Sequence, residues 1–325
     1  METGNREPLP VRAVCPLCRS VRSREEFTKG KYFYYRCAAC LHVFVDPLPT
    51  AEEEEAHYRS SYTSSYLAEV REWFTILARR RMDLLESVWS GDRKGAILDA
   101  GCGYGFFLHE ALTRGWTCYG VEAADGPARF AKDEFSLDVL LGDLPDRLTE
   151  FEDESLSVIT FWHVLEHVAQ PGLLLRAATS KLQPNGLLVI NSPNLDSAIY
   201  KLAGKHWNWI HTPGHLQYFS TASVESFLGR LGLKTITAQT WTDAPNLFFL
   251  LEEAALHRLC DVASKFRWPS VVPRFSSRLR GSLYRPFHQQ RIQAFWNEIY
   301  KRVPKLDSYL RRNCLGHEFV VIARK

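Results

Sequence analysis

The sequence predicts an α/β fold built on a mostly parallel sheet, with a small cysteine-bearing unit in front of it. Three observations carry that prediction. From Ala96 onward, short apolar runs alternate with stretches of helical periodicity. Strands separated by helices need crossover connections, which are right-handed and make parallel neighbours. A glycine-rich turn, Asp99-Ala-Gly-Cys-Gly-Tyr-Gly105, lies between the first such run and the helix after it, and two Cys-x-x-Cys pairs fall within residues 1–50.

The elements follow in order. Residues 1–50 hold the cysteine pairs and are closed by Pro47 and Pro49. Residues 51–95 read as a helical lead-in: Val70, Phe74, Leu77, Leu84, Leu85 and Val88 recur at helical spacing, and Gly91 and Gly95 end the run. The core spans 96–241. Its strands are 96–99, 117–122, 138–141, 156–161, 186–191 and 234–238, with helices at 107–114, 127–135, 173–182 and 222–231. Residues 242–315 form a basic, aromatic insertion, and 316–325 supply a last core strand, Glu318–Ala323.

Composition narrows the functional classes. An apolar fraction of 46% supports a sizeable core, and a net charge of +3 argues against a general polyanion binder. No run approaches the roughly 18 apolar residues of a membrane span; Leu247-Phe-Phe-Leu-Leu251 is a core-type run. The first residues lack the apolar stretch of a signal peptide. The expectation is a cytoplasmic chain without a transmembrane segment.

In a reducing compartment, paired cysteines read as metal ligands before disulfides. Cys15, Cys18, Cys37 and Cys40 form two knuckles with 18 residues between them, a spacing that suits tetrahedral Zn²⁺. Four thiolates close the coordination sphere, so the zinc is expected to be structural. A unit this small builds little core, and metal binding supplies much of its folding free energy.

The glycines at 101, 103 and 105 permit a tight turn and close approach of a ligand to the backbone. The helix behind them offers unpaired N–H groups. Relative to the GxGxxG of dinucleotide sites, the third glycine comes one position early and Phe106 takes its place. Glu122 ends the next strand, where a carboxylate can accept from the ribose hydroxyls of NAD or S-adenosylmethionine alike, and Asp143 ends the third, where it can accept from an adenine amino group; the alternative is that both are solvated loop acids.

Region 96–240 resembles the class I S-adenosylmethionine-dependent methyltransferases of the small-molecule branch. Leu98–Gly105 matches their first motif, Gly120-Val-Glu122 the ribose motif and Gly142-Asp143 the adenine motif. Phe161-Trp-His-Val-Leu-Glu-His-Val168 resembles the fourth-strand motif. Leu182–Ile190 resembles the turn into the fifth strand, with Asn185 where glycine is more usual. The resemblance implies a seven-stranded Rossmann-like sheet whose last strand, 318–323, is antiparallel. It also implies a cofactor site of Asp99, Ala100, Gly101, Gly103, Gly105, Glu122, Ala123, Asp143, Leu144, Trp162 and His163. The cysteine unit is similar to the zinc ribbon that precedes the catalytic domain of some bacterial sugar C-methyltransferases.

Histidines follow the fourth and fifth strands, at the carboxyl edge where open sheets bind ligands. An alcohol, phenol or amine acceptor must lose a proton during methyl transfer, and histidine is tuned for that. His163, His167 and His215 are the candidate bases, in a chemistry expected to need no metal. Glu166 is expected to orient a neighbour or to cap a helix. The stretch Trp207–Ser220, which carries His211 and His215, should overhang the pocket, and Ser220 or Thr221 should cap the next helix.

From Lys265 to Arg302 nine Lys and Arg residues face a single acid, Glu298, with aromatics between them. Three roles stand open for this segment: a solvated lid over the pocket, recognition of a phosphorylated or nucleotide-linked substrate through Arg, or contact with an anionic membrane surface; its position between the sixth and seventh strands favours a substrate cap. The leading function is methyl transfer from S-adenosylmethionine to a small molecule: a sugar nucleotide, a lipid-linked or a phenolic intermediate. Two alternatives stand beside it. One is an RNA methyltransferase that grips nucleic acid through the zinc ribbon, with Arg12, Arg19, Arg22, Arg24, Lys29, Lys31 and Arg36, and through the basic segment. The other is a non-catalytic zinc-ribbon binding module.

Overall fold

The computed structural model describes residues 13–61, 64–91, 93–241 and 316–325. The expected basic cap over 242–315, with Leu247–Leu251, lies outside the described residues. The elements are β1 (Ser23–Lys29), β2 (Tyr32–Cys37), β3 (Val43–Asp46), α1 (Ala51–Ser61), α2 (Ser64–Val88), β4 (Ala96–Ala100), α3 (Phe106–Thr113), β5 (Thr117–Glu122), α4 (Asp125–Phe135), β6 (Asp138–Leu141), α5 (Leu144–Arg147), β7 (Leu156–Trp162), α6 (Pro171–Lys181), β8 (Leu182–Pro193), α7 (Ala198–Ala203), β9 (Gln217–Tyr218), α8 (Thr221–Arg230), β10 (Lys234–Trp241) and β11 (Glu318–Arg324).

Seven strands form the large sheet in the order β10-β11-β8-β7-β4-β5-β6. β11 runs antiparallel to both of its neighbours, and the pairs from β8 across to β6 are parallel. β7 is buried along its whole length, Ser157 and Thr160 included, as a central strand covered on both faces should be. The period-two rule sorts side chains to the two faces. In β8, Leu188 and Ile190 join the layer of α6 and α8, while Leu187 and Val189 join that of α2, α3 and α4. Phe319 and Val321 alternate with Val320 and Ile322 in the same way along β11.

The expected elements are present, with small shifts at their ends. β8 begins four residues before the expected Gly186, and Asn185 there has φ 66, a left-handed conformation in which Asn replaces glycine at low cost. Ser220 caps α8 and forms a reciprocal capping box with Ser223.

The small sheet holds a feature absent from the sequence reading. Its order is β1-β2-β3-β9, so its fourth strand comes from residues 217–218 and not from the first fifty. Val43 pairs with Tyr218 and Phe44 with Gln217. Tyr34, Val43 and Val45 share a buried cluster with Leu195, Ile199, Trp207 and Ile210. The cysteine unit therefore completes both its sheet and its core with the segment after β8. On its other side, Gly172 N–H at the start of α6 donates to Pro16 O at 3.2 Å. A Cβ on Gly172 would stand 2.1 Å from Leu17 O, so only glycine allows this approach.

Candidate functional site

The first site is built by the turn after β4. Asp99 and Thr160 are register partners on β4 and β7, and Thr160 Oγ1 donates to Asp99 Oδ1 at 2.6 Å. Burial pushes the Asp99 carboxyl up to about 7, against the pull of that hydrogen bond and of Arg81. Gly101 has φ 80 and Gly103 has φ 54. A Cβ on Gly101 would meet Val164 Cγ2 at 2.6 Å, whereas above Gly103 nothing lies within 4 Å. The turn is thus packed from below and open above. Glu122 holds its shape: its carboxylate accepts from Gly103 N–H and from Ala124 N–H, each at 2.8 Å. Burial raises the Glu122 pKa and these backbone donors oppose the rise.

Above the turn lies a cavity of about 470 Å³. Of the residues the resemblance implies for the cofactor, Asp99, Gly101, Gly103, Gly105, Glu122, Trp162 and His163 line it. Ala100, Ala123, Asp143 and Leu144 do not. Ala100 is buried in the core, and Asp143 is exposed at the start of α5. The sequence reading missed a second wall. Trp73, Phe74, Arg80 and Arg81 of α2 line the cavity, as do Trp209, Trp241, His317 and Glu318. Arg81 lies over the Trp162 ring at 4.5 Å and Arg80 over Trp241 at 4.2 Å. The helical spacing of α2 had identified its apolar stripe, but not that its basic residues would join the pocket.

His163 stands where β7 ends, with φ 58. Its Nδ1 is 3.1 Å from Glu166 Oε1 and its Nε2 is 3.2 Å from Glu318 Oε2. Desolvation lowers its pKa, but Glu318 and Glu166 outweigh it and raise the imidazole to about 9. A ring held between two carboxylates is a cation at neutral pH, ready to donate a proton or to fix charge. To accept a proton it must first lose one. Glu166 orients a neighbour, as expected: besides His163, it accepts from Ser192 Oγ at 2.9 Å.

The other two histidines differ in access. His167 lines the cavity, and its Nδ1–H donates to Gly214 O at 2.6 Å. His215 is buried behind that wall, and its Nδ1–H donates to Trp209 O at 3.0 Å. Burial and the neighbouring imidazoles hold its pKa well below the usual range. Trp209 brings the expected overhanging loop into the cavity wall. His211 packs against His215 with ring centroids 4.2 Å apart, and does not line the cavity.

In the small sheet, Cys15 and Cys40 place their sulfurs 3.7 Å apart, and Cys18 and Cys37 theirs 3.6 Å apart. All four lie within 4.8 Å of one another. A disulfide needs about 2.05 Å, whereas sulfurs at about 2.3 Å from a tetrahedral Zn²⁺ lie roughly 3.8 Å from each other. His42, beside this quartet, is 2.8 Å from Gln217 Oε1 through its Nε2. Among the described residues no helix is long and apolar enough to cross a membrane.

Comparison with known proteins agrees with this geometry. The chain is 30% identical over 111 residues to a ubiquinone biosynthesis O-methyltransferase of Pseudomonas entomophila, which covers 33% of this chain and 48% of that protein. The corresponding protein of Azorhizobium caulinodans is 28% identical over 147 residues, 42% of this chain and 58% of that one. The chain thus spans about half the length of the curated relatives it matches. A solved structure of a SAM-dependent methyltransferase from Archaeoglobus fulgidus aligns with TM-score 0.50 at 20% identity, covering 81% of this chain and all of that one; it shares the fold. Residues 69–238, just over half of the chain, match the family described as a methyltransferase domain. With its strand order, its glycine turn and Glu122 in place, the chain belongs to the class I S-adenosylmethionine-dependent methyltransferases.

Proposed function

We propose that this protein transfers a methyl group from S-adenosylmethionine to a small-molecule acceptor. The observation that carries the reading is the open space above Gly103, framed by Asp99 and Glu122 at the floor of the cavity. Asp99, Gly101, Gly103, Gly105, Glu122 and Trp162 would hold the cofactor. Bound there, it supplies an electrophilic methyl group on a sulfonium. Glu122 fixes the turn and offers its carboxylate to the ribose hydroxyls. Two buried acids beneath the turn favour a cation above it.

The acceptor enters from the aromatic side, between Trp73, Trp209 and Trp241. Such walls suit a planar, phenolic or otherwise apolar acceptor, and water is excluded where they close. His163, held by Glu166 and Glu318, positions the acceptor and moves its proton; His167 is the next candidate for that task. His215, buried behind the wall, supports the loop instead. The cysteine quartet holds a structural Zn²⁺ that fixes the small sheet, and through β9 it steadies the loop that bears Trp209 and His215.

Calorimetry with S-adenosylmethionine tests the reading. Saturable binding that NAD does not reproduce supports it, and absence of binding to folded, zinc-loaded protein sinks it.

A further inference from the structure

Glu166, His167 and His215 each offer one ligating atom, and these atoms lie within 4.8 Å of one another. The three residues come from two segments, the turn after β7 and the loop before β9, so the convergence is tertiary. Both imidazoles are already committed in the same sense. His167 donates its Nδ1–H to Gly214 O at 2.6 Å, and His215 donates its own to Trp209 O at 3.0 Å. Each ring therefore keeps its lone pair on Nε2. A ligating histidine needs this arrangement, with the outer nitrogen tied to a carbonyl and the inner one free for a metal. Glu166 is tied too, by His163 on Oε1 and by Ser192 on Oε2. Its backbone carbonyl accepts from Leu216 N–H at 2.7 Å, which links the two segments beside the cluster. Glu166 and His215 are buried, while His167 lines the cavity.

We propose that Glu166, His167 and His215 bind a divalent transition-metal ion at the cavity wall, separate from the cysteine quartet. Two imidazoles and a carboxylate suit Zn²⁺, Fe²⁺, Mn²⁺ or Co²⁺ and leave coordination positions open. On the reading of the protein as a methyltransferase, the ion takes an oxygen of the acceptor as a further ligand and lowers the pKa of its hydroxyl. The chemistry then depends on a metal, contrary to the expectation from sequence.

The test is titration of tag-free, full-length protein, already carrying one equivalent of Zn²⁺, with Co²⁺. One further equivalent should bind, giving visible absorption without sulfur charge transfer. Affinity should fall at least tenfold in H167A, in H215A and in E166Q. Circular dichroism and binding of S-adenosylmethionine by each variant show whether it has folded. Failure of Co²⁺ to bind, a sulfur charge-transfer band, or unchanged affinity in folded variants would overturn the site. Co²⁺ binding at these residues without binding of S-adenosylmethionine would leave the site standing and defeat the methyltransferase reading instead. The converse result would defeat the metal alone.

Discussion

Glu122 and Gly103 are joined by a hydrogen bond of 2.8 Å from the glycine amide to the carboxylate, across the cleft between two strand ends. The same side chain accepts from Ala124 N–H. The acid assigned to the cofactor ribose is therefore also the strut of the turn that cradles the cofactor. Hydrogen bonds to a charged group are worth about 1.5–3 kcal/mol each. E122A should weaken S-adenosylmethionine binding by at least about tenfold and also lower the thermal midpoint. Calorimetry and melting curves on one preparation separate the two effects. Unchanged affinity would show that the carboxylate does not reach the ribose.

Asp99 gives a pH dependence with a defined sign. Its folded-state pKa is about 7, raised chiefly by burial from an ordinary value of 3.8. The folded protein thus binds more protons than the unfolded chain between those values. The contribution of Asp99 to stability is fully present below pH 3.8 and is lost as pH rises towards 7. D99N should flatten that part of the profile of chemical denaturation against pH. A cation above the turn favours the ionised form. The preference for S-adenosylmethionine over uncharged S-adenosylhomocysteine should therefore grow from pH 6 to pH 8 in the wild type, and not in D99N.

Two glycines, Gly172 on α6 and Gly30 in the small unit, differ sharply in what surrounds them. A Cβ on Gly172 would stand 2.1 Å from a backbone oxygen, while around Gly30, at φ 62, nothing lies within 4 Å. G172A has to push the first cysteine knuckle off α6 and should cost more than G30A, whose penalty is conformational and about 1 kcal/mol. Limited proteolysis near Cys18 reports the difference. Equal sensitivity in the two variants would refute the packing argument.

Removal of zinc should reach the cavity. Treatment with a thiol reagent and a chelator frees the four cysteines and releases the small sheet, including its pairing with β9. Tryptophan emission should shift as Trp209 is freed, and binding of acceptor analogues should suffer more than binding of S-adenosylmethionine, whose turn lies on the large sheet. Equal loss of both would place the metal's influence on the whole fold.

The His163 position separates binding from turnover. H163N removes a ring tied to Glu166 and Glu318 and leaves the glycine turn intact. The expected result is a fall in kcat of about 10²–10⁴-fold, the range for a positioned proton-transfer group, with the affinity for S-adenosylmethionine changed less than about threefold. An unchanged kcat would remove His163 from the chemistry.

The large sheet was legible because its signals are local. Asp99–Gly105, Glu122 and the run Leu156–Trp162 each declare their element within a few residues. Even the last strand showed, as the apolar run Phe319–Ala323, and the structure sends its Phe319 and Val321 to one face and Val320 and Ile322 to the other. What escaped the sequence was contact between distant segments. Glu318 reads as the first residue of a strand, and only the sheet order brings it to His163. Arg81 stands four residues after Leu77 and three before Leu84, in line with the apolar stripe of α2, and only tertiary packing shows that it and Arg80 lie over Trp162 and Trp241. Gln217 and Tyr218 are too short a run to announce a strand. Asp143 sits just past the expected strand end and does not line the cavity, because a strand end fixes where a residue is and not where the pocket extends.

The two-residue strand β9 changes how the chain can be cut. A trimmed protein starting at α1 would leave the edge of β9 and the faces of Leu195, Ile199, Trp207 and Ile210 without cover. Such a fragment would be prone to stick to itself at that edge. Its failure in an assay would then report a torn interface and not a missing catalytic group. Residues 13–50 are better regarded as a wall of the catalytic domain than as a module attached to it, and grafts between homologous enzymes should exchange them together with residues 194–220.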